Sequence, residues 1–292
     1  MLTSNINFLN FKSSKKIKEL SKKIKKFKNE NFLLTTPLLK SFSQNYKYSY
    51  DRKIIKKLKN KKFFKIIGMG GSILGAKAIY FFLKKKIKKK FIFIDNLNPK
   101  VIKSVKAVNI IISKSGETLE TISNFHALKI KKKDKNVFIT ENNNNYLLNL
   151  AKNIKADIID HRNYIGGRYS VLSEVGMLPA ELMGLKEKNF KKYNYLIKNN
   201  KFIHQLVCNV ENTLNFIKKD KMNSVILNYD DCSESLFRWY QQLISESLGK
   251  KSKGLIPMIS QMPTDNHSLL QLYLDGPKKN FFTFYSVIND KT

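Results

Sequence analysis

Six consecutive residues, Ser113-Lys114-Ser115-Gly116-Glu117-Thr118, bring three hydroxyls, a lysine and a glycine together, a set of groups suited to holding an anion. The three isoleucines before them, Ile110 to Ile112, have the branching and length of a buried parallel strand. From Glu117 onward, Leu119, Ile122 and Phe125 carry a helical apolar spacing. The hydroxyl loop therefore occupies the first turn of a helix, where backbone N–H groups lack partners. With the charge of Lys114 added, the arrangement suits a phosphate monoester on a small substrate. A plain strand-to-helix turn capped by serine would use the same residues, so this loop alone leaves both possibilities open.

The elements that must position such a loop repeat along the chain. Phe63 to Ile67 reads as a strand, followed by the turn Gly68-Met69-Gly70-Gly71-Ser72-Ile73-Leu74-Gly75 and a helix from about Ala76 to Leu83. The glycine spacing departs from the dinucleotide fingerprint, and Asp95, flanked by Asn96 and Asn98, is poorly placed for a ribose; a dinucleotide site is not expected. Strands at Phe91 to Ile94, at Ile110 and at Asn136 to Thr140 alternate with helices. After the low-complexity turn Asn142 to Asn145 come a helix from Tyr146 and a strand at Ala156 to Asp160. The pattern is a doubly wound parallel sheet, whose ligands gather at the carboxyl ends of its strands. Both the glycine turn and the hydroxyl loop fall there.

At 292 residues the chain exceeds one domain of roughly 100 to 200 residues, and 42% hydrophobic residues suffice for real cores. Residues 1–59 read as an N-terminal helical region, with Ile17, Leu20, Ile24 and Phe27 on one face and lysines on the others. Arg52 to Lys62 continues in the same lysine-rich helical style. The formal charge is +33, almost all of it lysine. The arginines are Arg52, Arg162, Arg168 and Arg238, whereas base recognition favours the arginine fork, so no specific nucleic-acid partner is expected. Even unselected charge of this size gives weak, salt-sensitive binding to nucleic acid. Cys208 and Cys232 lack CxxC spacing and a nearby histidine pair, which fits a reduced cytoplasmic protein without structural zinc. Runs such as Ala78 to Leu83 are far shorter than the roughly 20 residues a bilayer requires, so no membrane span is expected.

Five segments together resemble the phosphoglucose isomerase family: Gly68-Met69-Gly70-Gly71-Ser72; Ser113-Lys114-Ser115-Gly116-Glu117-Thr118-Leu119-Glu120-Thr121; Gly167-Arg168-Tyr169-Ser170-Val171-Leu172-Ser173; Trp239-Tyr240-Gln241-Gln242-Leu243-Ile244-Ser245-Glu246-Ser247-Leu248-Gly249-Lys250; and Pro263-Thr264-Asp265-Asn266-His267-Ser268-Leu269-Leu270-Gln271. The resemblance covers roughly residues 35 to 285. It implies an α/β chain with two sugar-isomerase (SIS-like) three-layer α/β/α domains of mostly parallel sheet, at 60–165 and 166–292, the second short at its C-terminal side. It also implies a homodimer with shared sites that interconverts glucose 6-phosphate and fructose 6-phosphate without metal or other cofactor. A bifunctional phosphoglucose/phosphomannose isomerase and a non-catalytic sugar-phosphate-binding protein are the alternatives.

By that resemblance Glu246 is the base that moves a proton between C2 and C1 over a cis-enediol intermediate. Arg168 steadies the enediolate oxygen, and His267 handles the ring-oxygen proton during ring opening. The phosphate rests on Ser113, Lys114, Ser115 and Thr118, with Gly71 and Ser72 on the sugar hydroxyls and Gln242 beside Glu246. His126, His161 and His204 match no motif and are expected to be structural. Glu117 stands where the family more often has threonine, and its carboxylate would repel a nearby phosphate unless it points away; the helix dipole would tolerate it and Lys114 could offset it. Family members continue beyond the strand at Asn280 to Val287 to a helix bearing a lysine that assists ring opening, and the present sequence shows no counterpart to it.

Overall fold

A computed structural model describes Lys22 and residues 36–97, 106–192, 195–196 and 199–288. The expected apolar face at Ile17, Leu20, Ile24 and Phe27 lies outside the described residues. Two short helices open the described chain, α1 (Pro37–Lys40) and α2 (Arg52–Leu58), and the residues between them are turns and extended chain rather than one continued helix. Asp51 caps α2 by accepting the N–H of Lys53, and Ile54 and Leu58 turn inward.

Alternation then sets in: β1 (Phe63–Ile67), α3 (Leu74–Phe82), β2 (Lys90–Ile94), β3 (Val108–Ile112), α4 (Leu119–Ala127), β4 (Lys135–Thr140), α5 (Tyr146–Asn153) and β5 (Asp157–Asp160). The five strands form an all-parallel sheet in the order β2-β1-β3-β4-β5. Every residue of β3 is buried, as its run of isoleucines dictates for a central strand covered on both faces. Ile67, Ile94, Ile111 and Phe138 from four strands pack with Phe125 of α4 and Leu147 and Ala151 of α5. Leu119, expected on the inner face of its helix, is 71% exposed because it is the first helical residue and precedes the turn that meets the sheet. The amide of Asn109 donates to Asn136 at 2.9 Å between paired positions of β3 and β4, which penalises any slip of register.

A 3-10 segment, Gly167–Leu172, leads into α6 (Glu174–Leu182), which Ser173 caps by accepting the N–H of Val175. The chain continues through α7 (Glu187–Lys191), α8 (Asn200–Lys218), β6 (Asn223–Asn228), α9 (Glu234–Leu248), β7 (Ile256–Gln261), a 3-10 turn at Thr264–His267, α10 (Leu270–Asp275) and β8 (Asn280–Tyr285). Here β6 is the centre of a second, three-stranded parallel sheet ordered β7-β6-β8. Its small core joins Val225, Leu227 and Met262, and Asn223 pairs with Asn280 at 2.8 Å across β6 and β8.

The chain divides into two compact units. The larger comprises Asn45–Glu187 and Asp231–Leu243; the smaller comprises the described residues of Met1–Gln44, Lys188–Asp230 and Ile244–Thr292. Residues 166–187 thus go with the five-stranded sheet, because their backbone meets the glycine turn after β1. No helix among the described residues is long and apolar enough to cross a membrane.

A polar seam ties the segment before α2 to α6. Tyr46 donates to Glu174 at 3.0 Å, Tyr50 donates to Glu181 at 2.5 Å, and Arg52 reaches Glu181 and Glu187. Burial pushes the carboxyl groups of Glu174 and Glu181 above the usual range, against the hydrogen bonds they accept. For fully buried Glu174, the folded protein keeps a proton that the unfolded chain has released. Its contribution to stability is therefore full below the ordinary value of 4.5 and is lost as pH climbs through the folded value. Thermal melts of Glu174→Gln against the parent, taken from about pH 4.5 to about pH 7.5, should show the variant gaining relative stability as pH rises.

Candidate active site

In the larger sheet the chain passes from β1 outward to β2 and then returns to place β3 on the other side of β1. This is a switch point, where the segments leaving two adjacent strands part to opposite faces and open a crevice. The glycine turn leaves β1 there, and the hydroxyl loop leaves β3.

The glycine turn is made by absent side chains. Gly70 has φ +52°, and a Cβ on it would stand 2.9 Å from Nε2 of Gln242. A Cβ on Gly71 would fall 2.2 Å from the carbonyl of Gly167 and 2.6 Å from the backbone nitrogen of Arg168. Two backbones therefore touch directly. Ser170 fastens the contact, its hydroxyl lying 3.1 Å from the carbonyl oxygen of Gly71 and 2.6 Å from that of Gly167. Trp239 of α9 donates its ring N–H to the carbonyl of Arg168 at 3.1 Å. The half-buried guanidinium of Arg168 stacks 4.5 Å above the ring of Tyr169, which limits where the cation can point. Gly71, Ser72, Arg168 and Gln242 are thus gathered by direct contact among three separate chain segments.

The hydroxyl loop is organised around buried Ser113, whose Oγ lies 2.8 Å from Oγ1 of Thr118 and accepts the N–H of Gly116 at 3.2 Å. Ser115 is exposed and accepts the N–H of Glu117 at 3.2 Å. Thr118 stands at the N-cap of α4 without a side-chain capping bond. The first amides of α4 consequently keep no side-chain cap beside this cluster of hydroxyls, the condition for anion binding at a helix start. Lys114 donates to the carbonyl of Asn163 at 2.6 Å and lies 3.5 Å from Glu141, so its ammonium is positioned by residues following β4 and β5.

The carboxylate of Glu117 does turn away: it accepts the N–H of Tyr146 at 2.6 Å and so caps the start of α5. Gly116, at φ +69°, is pressed against Asn145, with a Cβ there falling 1.8 Å from Oδ1. Asn145 also accepts the N–H of Leu148 and donates to the carbonyls of Glu141 and Asn143. Sequence reasoning missed Asn145, Trp239, Glu141 and Asn163. Asn145 was detectable as an N-cap just before an apolar helix, but the asparagine run around it hid that signal.

Glu246 and His267 belong to the smaller unit. Glu246 stands one helical turn after Gln242 on α9, and His267 ends the 3-10 turn after β7; both side chains are exposed. Asp265 shapes that turn by accepting the N–H of Gln261 at 2.8 Å. His161, just after β5, is buried with its imidazole pKa pushed down by burial, and His126 shares a 2.9 Å hydrogen bond with Tyr146. A cleft of about 350 Å³ beside α3 and the start of α9 is lined by the Lys77–Asp95 pair among others, and none of the expected site residues lines it.

Parallel sheets with glycine-turn and hydroxyl-loop crevices define the sugar-isomerase fold. Structural neighbours carry the same architecture: a hypothetical protein of Thermus thermophilus aligns with TM-score 0.72 at 20% identity, covering 92% of this chain and 71% of that one. A glucose-6-phosphate isomerase of Chlamydia trachomatis aligns with TM-score 0.68 at 17% identity, covering 92% of this chain and 64% of that one. Residues 38–262 match the phosphoglucose isomerase family model, and the chain belongs to that family. It is 37% identical over 238 residues to the glucose-6-phosphate isomerase of Methanocaldococcus jannaschii, covering 75% of this chain and 58% of that protein. It is 31% identical over 245 residues to the Campylobacter jejuni enzyme of the same name, covering 76% and 60%. The chain thus spans less than two thirds of the length of these relatives.

Because a Cβ at Gly71 would run into the Gly167–Arg168 backbone, Gly71→Ala must push the Arg168 turn aside. It should cost about 3 kcal/mol, the upper end for overpacking, read as a lowered urea midpoint.

Proposed function

We propose that the protein is an aldose-ketose isomerase that interconverts glucose 6-phosphate and fructose 6-phosphate. The observation that carries this is the gathering of the glycine turn, the Arg168 turn and Gln242 beside a hydroxyl loop at the start of an uncapped helix. The phosphate would accept hydrogen bonds from Ser113, Ser115, Thr118 and the first amides of α4, with Lys114 supplying charge. Gly71 offers a backbone N–H group and Ser72 a hydroxyl to the sugar, where a bulkier residue would block approach.

The chemistry needs one base that takes the C2 proton of the open-chain aldose and returns it to C1 on the same face. Glu246 is assigned that part, with Gln242 one turn before it on α9. As the proton leaves C2, negative charge grows on the carbonyl oxygen, and the guanidinium of Arg168 stabilises it without having to reorganise. His267 would take and return the ring-oxygen proton, a task suited to an imidazole, which can both donate and accept a proton. Proton transfer by a positioned carboxylate contributes typically 10²- to 10⁴-fold to rate. Each step is a proton transfer within one substrate, so no electron acceptor enters the balance.

Conversion of fructose 6-phosphate, followed by coupled oxidation of the glucose 6-phosphate formed, should be readily measured with the purified chain. Glu246→Gln should lower kcat by about 10³-fold while thermal melting stays unchanged. Turnover equal to the parent's in that variant would remove Glu246 as the base. A cytoplasmic homodimer with shared sites completes the proposal, supported by the family and by two unbridged cysteines. Sedimentation equilibrium should give twice the 34.0 kDa chain mass, and a monomer that turns over at full rate would rule out shared sites.

A further inference from the structure

Because the five-stranded sheet is all parallel, every segment entering a strand opens on one end of it and every segment leaving a strand opens on the other. The two ends differ in charge. On the entering end stand Lys-Asn-Lys-Lys (59–62) before β1, Lys-Lys-Lys-Ile-Lys-Lys-Lys (84–90) running into β2, and Lys-Ile-Lys-Lys-Lys-Asp-Lys (129–135) running into β4. Asp134 is the one acid in those stretches, and its carboxylate accepts the N–H of Lys131. On the leaving end, the described turns at 68–72, 95–97, 113–118, 141–145 and 161–163 carry Asp95, Glu117 and Glu141 against Lys114 and Arg162. Lysine is abundant throughout the chain, yet abundance alone would load both ends alike.

The entering end is also ordered and open. Lys89 donates to the carbonyl of Lys59 at 2.6 Å, and the N–H of Lys90 donates to the carbonyl of Lys62 at 2.9 Å, which sets the first two stretches side by side. The third lies two strands beyond β1, about 10 Å across the sheet at normal strand spacing. Apart from half-buried Lys89, the lysines of the three stretches are exposed, and none belongs to an ion pair among the described residues. Close cations without counter-charges repel one another, a cost that an approaching polyanion relieves.

We propose that this end of the sheet binds the phosphodiester backbone of nucleic acid without regard to sequence. Lysine ammoniums meet phosphates singly as point charges and lack the fork that reads base edges, so the surface recognises charge and spacing alone. An anionic membrane fits less well, since durable anchoring adds an apolar element to the charges. At this end Ile54, Leu58 and Ile87 are turned into the core, and the exposed apolar side chains beside the second stretch, Phe81 and Phe82, are aromatic rings of the kind that stack on bases. Phe63, 37% exposed at the head of β1, offers a ring on which a base can stack. The hydroxyl loop stands at the opposite end of the same sheet, so a sugar phosphate and a polyanion do not compete for one surface.

Fluorescence anisotropy with a labelled, mixed-sequence duplex of about 20 base pairs tests the assignment on the full chain across about 50 to 200 mM salt. The parent should bind, and the quadruple variant K84E/K85E/K86E/K88E should bind at least tenfold more weakly. Its salt slope should be shallower by about 3 to 4, one unit for each phosphate that no longer meets a lysine. The matched variant K201E/K218E/K219E/K253E makes the same charge change on the smaller unit and should lose less than threefold. Equal losses in both variants would reduce the effect to diffuse charge and overturn the proposal. So would tighter binding to phosphatidylserine vesicles than to the duplex, or absence of binding by a parent that melts cooperatively.

Discussion

The larger unit depends on a place where two chain segments meet with no side chain between them. Gly71 and Gly167 bring backbone against backbone, and the hydroxyl of Ser170 lies within hydrogen-bonding distance of both their carbonyl oxygens. Any Cβ at Gly71 would part the segments, and the turn carrying Arg168 would lose the reference that sets its height above β1. Further contacts extend the constraint: Gly75 packs against Val171, Gly176 against the Val171 carbonyl, and Trp239 onto the Arg168 carbonyl. Small residues here are a geometric requirement of the crevice. The chain flexibility they add to the unfolded state is a cost the fold accepts.

The hydroxyl loop obeys a complementary rule. Helix α5 is capped twice over, by Asn145 from within and by Glu117 from the neighbouring loop, while the adjacent α4 has no side-chain cap. Loop and helix are locked together, since Gly116 accepts the N–H of Leu147 through its carbonyl and packs its Cα against Asn145. The carboxylate that would repel an anion at α4 is thereby used at α5, where the helix dipole favours it. Of these two neighbouring helices, the one left without a side-chain cap is α4, whose start faces the hydroxyls.

Much of the larger sheet was legible because each strand is a short β-branched or aromatic run bounded by turn residues. Phe63–Ile67 has the expected bounds, α5 starts at Tyr146 as expected, and β2, β4 and β5 differ by one residue. The run Ile110 to Ile112 lengthened to Val108–Ile112 because Asn109, polar by composition, is satisfied by Asn136 across the ladder. Such a partner cannot be seen in one strand's sequence. The glycine turn and the hydroxyl loop stand out by local type and spacing, whereas Arg168 and Gln242 are singled out only by the family resemblance. What joins them was not legible: Trp239 on the Arg168 carbonyl and Glu117 on Tyr146 are long-range bonds, invisible to periodicity.

The same all-parallel pairing that builds the crevice also sorts the chain's charge. A leaving turn must present hydroxyls, glycines and backbone amides to a ligand, and a lysine added there would fill the space or draw the ligand off its donors. An entering turn has no such duty, and in this chain it has become almost continuously cationic. Repetition of strand, turn and helix therefore turns a local difference between turns into a difference between two ends about a strand's length apart, roughly 17 Å for five residues. Beyond a Debye length of about 10 Å the exposed lysines are largely screened from the hydroxyl loop. Lys114 thus remains the local charge that matters for a phosphate, held where Glu141 and the Asn163 carbonyl position it.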